Sequence, residues 1–72
     1  MSETLRQRRV RGYSYGIYID GMKTFANIAL EFHVEVKQYA AANFTLAQID
    51  HALAQGRITQ QEYDDTIAYI AG

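Results

Sequence analysis

Gly12-Tyr13-Ser14-Tyr15-Gly16-Ile17-Tyr18-Ile19-Asp20-Gly21 is the stretch on which the fold class turns. Tyrosine and isoleucine favour extended chain. Tyr13, Tyr15, Ile17 and Ile19 fall on one face at a period of two. Asp20-Gly21 then reads as a two-residue turn. A type I′ turn needs positive φ at both central residues, which aspartate tolerates and glycine permits. Residues 22–25 would return as the second strand. The fold expected from this stretch is α+β: an N-terminal β-hairpin, a central helix with a long strand as the alternative, and a C-terminal helical hairpin.

The central segment supports two periods. At period two, Ala26, Ile28, Leu30, Phe32, Val34 and Val36 alternate with mostly polar neighbours, as in a strand. At helical spacing, Phe25, Ile28, Ala29, Phe32, Val36, Tyr39 and Ala40 form one stripe. No turn residue interrupts the run before Asn43, and a strand over residues 22–36 would far exceed the usual length. The helix is therefore preferred over 24–42, with the strand kept as the alternative. On the helix reading Leu30 and Val34 fall off the stripe and become candidates for a subunit contact.

The ending carries two helix-start devices. Thr45 is an N-cap and Gln48 completes its capping box, with Phe44 and Ile49 as the hydrophobic staple. Thr59 and Glu62 repeat the box, with Ile58 and Tyr63 as the second staple. Gly56 ends the first helix in the left-handed conformation. The spacing predicts helices over about 46–55 and 60–71, with Ile49 and Leu53 facing Tyr63, Ile67 and Ile70.

Charge is unevenly placed. Within residues 1–11, Arg6, Arg8, Arg9 and Arg11 stand against Glu3, a balance of +3, while the rest of the chain carries −4. The near-neutral total of −1 thus divides into a basic, mobile arm (1–11) and an acidic single domain (12–72). The 72 residues hold no cysteine, which excludes a disulfide scaffold and thiolate chemistry. No apolar run approaches the roughly 20 residues that cross a bilayer, and no apolar core follows the N-terminal basic residues as in a signal peptide. So small a chain rarely gains more than about 3–5 kcal/mol from one core without staples, metal or oligomerisation. Self-association therefore gains weight.

The residues of the ending resemble a known family. Phe44-Thr45, Ile49 and Gly56-Arg57-Ile58-Thr59-Gln60-Gln61-Glu62-Tyr63 look like the XkdX family of small phage proteins, over about residues 39–71. Members belong to tailed phages and prophages, are typically encoded near tail-fibre or baseplate genes, and have no assigned enzymatic activity. The Gly-x-Ile-Thr-x-x-Glu-aromatic part also resembles the short C-terminal (SHOCT) domain, an interaction module. The resemblance implies a tail or baseplate assembly factor or structural connector, present in the host cytoplasm during assembly or in the virion.

The remaining candidates favour contact over catalysis. Thr45 and Thr59 are explained by capping rather than as nucleophiles. His33 and His51 are eighteen positions apart and belong to no metal-ligand spacing. Glu62, Asp64 and Asp65 sit in the first turns of a helix, where the dipole favours negative charge. No enzyme, cofactor or metal is expected. The expected role is a homo-oligomer that buries Tyr15, Tyr18, Phe32, Val36 and Tyr39 between subunits and reaches other phage tail proteins, without a membrane. The rival is a small nucleic-acid-binding regulator, with Arg6, Arg8, Arg9 and Arg11 on phosphates and the neighbouring tyrosines stacked on bases.

Overall fold

A third capping box, Thr4-Leu5-Arg6-Gln7, opens the first helix. The computed structural model describes residues 3–71. In it the Thr4 amide donates to Gln7 Oε1 at 2.8 Å and the Gln7 amide donates to Thr4 Oγ1 at 3.1 Å. From this start α1 runs over Leu5–Ser14 and continues without a break as a π-helical turn, Tyr15–Ile19. The ladder widens where the Ser14 hydroxyl donates back to the Val10 carbonyl at 2.7 Å, a bond that competes with the backbone pattern. The Asp20 amide then reaches the Tyr15 carbonyl, five residues back, at 2.8 Å.

The expected β-hairpin is therefore corrected to helix, and the α+β class to an all-helical one: the described residues contain no strand. Val10, Ser14, Ile17 and Tyr18 form the buried face, at helical rather than alternating spacing. Gly21 does adopt positive φ, at 70°, but Asp20 has φ −86°. That excludes a type I′ turn and makes Gly21 the terminator of a helix. The residues expected as a basic arm, 1–11, lie from Leu5 onward within α1; Met1 and Ser2 are outside the described residues.

The central segment is also corrected. There is no long strand, and the helix occupies only part of 24–42. Two short 3₁₀ turns, Phe25–Asn27 and Leu30–Phe32, precede α2, His33–Asn43. Asn27 Oδ1 accepts from both the amide and the hydroxyl of Thr24 and closes the first turn. Of the predicted stripe, Phe25, Ile28, Phe32, Val36 and Ala40 are nonetheless buried and Tyr39 partly so, while Ala29 is exposed.

Helices α3, Leu46–Ala54, and α4, Gln60–Ala71, complete the chain. Gly56, at φ 73°, ends α3 in a Schellman motif. The Arg57 amide donates to Ala52 O at 2.9 Å and the Gly56 amide to Leu53 O at 3.0 Å. Helix α2 lies between α1 and α4, while α3 closes on the π-helical turn and on α4. The shared core contains Ile17, Tyr18, Phe25, Val36, Phe44, Ile49 and Ile58. Among the described residues no helix is long and apolar enough to cross a membrane.

Candidate functional site

The five residues expected at a subunit interface separate into two groups. Tyr18, Phe32 and Val36 are buried inside the protomer, at 1%, 8% and 0% exposure. They are core residues and present nothing to a partner. Tyr15 and Tyr39 remain at the surface, where Tyr15 is 44% exposed and Tyr39 partly buried. Both pack edge-on against Phe44, with ring centroids at 5.0 and 6.0 Å, and against each other at 6.5 Å. Edge-to-face pairs of this kind hold rings in fixed orientations. Partial burial raises the pKa of the Tyr39 phenol.

Tyr39 also walls an open groove of about 610 Å³ between α1 and α2. Val10 and Ala42 line it with apolar surface; Gln7, Gln38 and Asn43 supply amides, and Glu3 and Glu35 carboxylates. A second groove of about 400 Å³ lies beside Arg57, His51 and Gln48. Sequence reasoning passed over Arg57 except as part of a motif, although it directly follows the terminating Gly56. Its Nη1 donates to the Tyr18 and Ile19 carbonyls, at 3.3 and 2.9 Å, and so caps the end of the first helix from across the molecule. A cation there also complements the negative end of the helix dipole.

The four arginines of α1 differ in their surroundings. Arg6 pairs with Glu31 and Glu35 and stacks over Phe32 at 4.5 Å. Hydrogen bonding to Glu35, then to Glu31, raises its pKa further. Arg11 lies 3.1 Å and Arg8 3.8 Å from Glu3. Arg9 makes no ion pair among the described residues. Glu31 and Glu35 offset the cluster read as +3, which already counts Glu3, and the charge that remains lies on Arg8 and Arg9.

The capping residues stand where the spacing puts them. The Thr45 amide donates to Gln48 Oε1 at 2.9 Å and the Gln48 amide to Thr45 Oγ1 at 3.1 Å. Thr59 and Glu62 exchange the same pair at 2.8 and 3.2 Å. Thr45, Gln48, Thr59, Glu62 and Gly56 therefore have complete structural roles.

No family model matches the chain, and no curated protein or solved structure matches it either. What remains to describe is chemistry within the fold. His33 Nε2 donates to the Ile28 carbonyl at 3.4 Å and its ring meets the Phe25 edge at 5.2 Å. Among the described residues no three metal-ligating side chains gather. Lys37 donates to Asp65 at 2.8 Å and holds its carboxyl below the usual carboxylate range. Tyr18 is the most perturbed group. Burial, only partly opposed by its bond to Thr66, raises its phenol to about 12. Ile70, expected inside the helical corner, is 45% exposed.

Proposed function

We propose that this protein is a non-enzymatic assembly protein that works by self-association, serving a tailed phage or prophage as a tail or baseplate assembly factor or structural connector. The observation that carries the contact function is the Tyr15–Tyr39 surface, backed by the buried Phe44, beside the α1–α2 groove. It presents rigid aromatic area at the surface, beside a groove with apolar walls and a polar rim of amides and the carboxylates of Glu3 and Glu35. Leu5, Met22, Leu30, Val34 and Leu46 add exposed apolar area on a chain too small to cover it. Leu30 and Val34 are the pair that sequence spacing set aside for such a contact.

The phage context rests on the resemblance of residues 39–71. The nucleic-acid reading has less support, because Arg6 and Arg11 already face carboxylates and only Arg8 and Arg9 remain for phosphates. Two experiments test the proposal. Sedimentation across the micromolar range should show concentration-dependent association, and Tyr15→Ala with Tyr39→Ala should weaken it. A fully helical monomer at every concentration refutes self-association. Mass spectrometry of particles and assembly intermediates from a lysogen carrying the gene tests the context, and absence from both refutes it.

A further inference from the structure

Leu5, Arg8, Arg9 and Gly12 lie at i, i+3, i+4 and i+7 of α1, on one face. This face points away from Val10, Ser14 and Ile17, and all four residues are exposed. Gly12 is the informative member. It sits inside a ten-residue helix, where glycine is among the poorest choices. Its φ is not positive, and a Cβ built on it would meet nothing within 4 Å. Neither backbone conformation nor internal packing calls for glycine there. A bare backbone at the surface does permit another molecule to come close.

The charges around it say what that molecule carries. Arg9 has no ion-pair partner among the described residues, and Arg8 has only the long contact to Glu3 at 3.8 Å. The opposite sign is displayed elsewhere on the same chain. Asp50 on α3 and Asp64 on α4 flank Tyr63, whose hydroxyl donates to Asp50. Both carboxylates are exposed, and neither has a cation within 4 Å among the described residues.

We propose that the Leu5–Arg8–Arg9–Gly12 face of α1 docks against the Asp50–Asp64 corner of a second copy of this chain, joining copies head to tail. The proposal rests on the self-association proposed above and adds to the Tyr15–Tyr39 patch a second, separate pair of surfaces. Because the two surfaces differ, the contact is heterologous, and repetition closes a ring or extends a filament.

Sedimentation velocity at low and high salt tests it, on wild type, Arg9→Glu, Gly12→Leu, Asp64→Arg, and a mixture of Arg9→Glu with Asp64→Arg chains. Wild-type association should weaken with salt. Arg9→Glu and Gly12→Leu should each weaken it roughly tenfold or more, and mixing the two charge variants should restore it. In dilute solution Gly12→Ala should raise Tm by about 4 °C, since alanine is the better helix former. An oligomer indifferent to Arg9→Glu and Gly12→Leu overturns these surfaces and leaves self-association standing. A monomer under all conditions overturns both. Loss without rescue on mixing removes the α3–α4 corner as the acceptor, and a lowered Tm for Gly12→Ala removes the argument from glycine.

Discussion

Replacing Thr66 with valine should destabilise this protein more than replacing Tyr18 with phenylalanine, although the two hydroxyls share one hydrogen bond. Thr66 Oγ1 donates to the Glu62 carbonyl at 2.8 Å, so the Tyr18 hydroxyl, 2.7 Å away, must be the donor between them. Both residues are essentially closed to water, at 0% and 1% exposure. Thr66→Val keeps the volume but strands the Tyr18 hydroxyl without a partner, which costs about 1–3 kcal/mol for an unsatisfied buried group. Tyr18→Phe removes the donor and leaves Thr66 bonded to Glu62, at a net cost of about 1 kcal/mol. The double variant has two apolar partners and should cost little more than Tyr18→Phe alone. The costs are thus non-additive by roughly 1 kcal/mol or more. Thermal unfolding followed by far-UV circular dichroism, at fixed protein concentration, should lower Tm by about 10 °C for Thr66→Val and about 5 °C for Tyr18→Phe. Equal costs, a larger cost for Tyr18→Phe, or simple additivity would refute the assignment of donor and acceptor.

The same tyrosine makes stability pH-dependent. Its phenol is raised from the ordinary 10 to about 12 in the folded state, so its contribution is complete below pH 10 and is lost between 10 and 12. Denaturant titrations across that window should fall for wild type and fall less for Tyr18→Phe. Gly21→Ala and Gly56→Ala both place a side chain at positive φ, which costs about 1–2 kcal/mol. Only at Gly21 would the new Cβ stand 2.7 Å from Arg57 Nε, so urea midpoints should rank Gly21→Ala as the more damaging, and equal midpoints would remove the Arg57 contact. Thr4→Ala should cost about 1 kcal/mol and reduce helicity, as loss of an N-cap does. No change by circular dichroism would return residues 4–11 to the status of an arm.

How much of this was legible depended on how far each interaction reaches along the chain. The boxes at Thr45 and Thr59 and the terminator Gly56 act over three or four residues, so their spacing placed α3 and α4 within a residue or so of where they lie. Thr4-Leu5-Arg6-Gln7 is the same device as Thr45-Leu46-Ala47-Gln48 and was equally readable, but the basic composition around it drew the reading toward an arm. Of the residues expected at an interface, Tyr15 and Tyr39 reached the surface, whereas Tyr18, Phe32 and Val36 went to the core. Sequence ranks apolar residues by type and period, and core and interface draw on the same types.

Residues 12–21 show where local information ends. Gly21 has positive φ in a hairpin turn and at a helix end alike, so its identity determined its own conformation and not the element around it. The extended preference of Tyr13, Tyr15, Ile17 and Ile19 is worth little beside burial. Sequence by itself determined two capped helix starts, one helix end and the uneven charge, because each depends on nearby residues in the chain. Only the tertiary structure decided that residues 12–19 are helical. Tyr18 finds Thr66 48 positions away, and Arg57, 38 positions beyond Ile19, caps the carbonyls at the end of the helix. Those partners satisfy a buried hydroxyl and the helix-end carbonyls in the helical form.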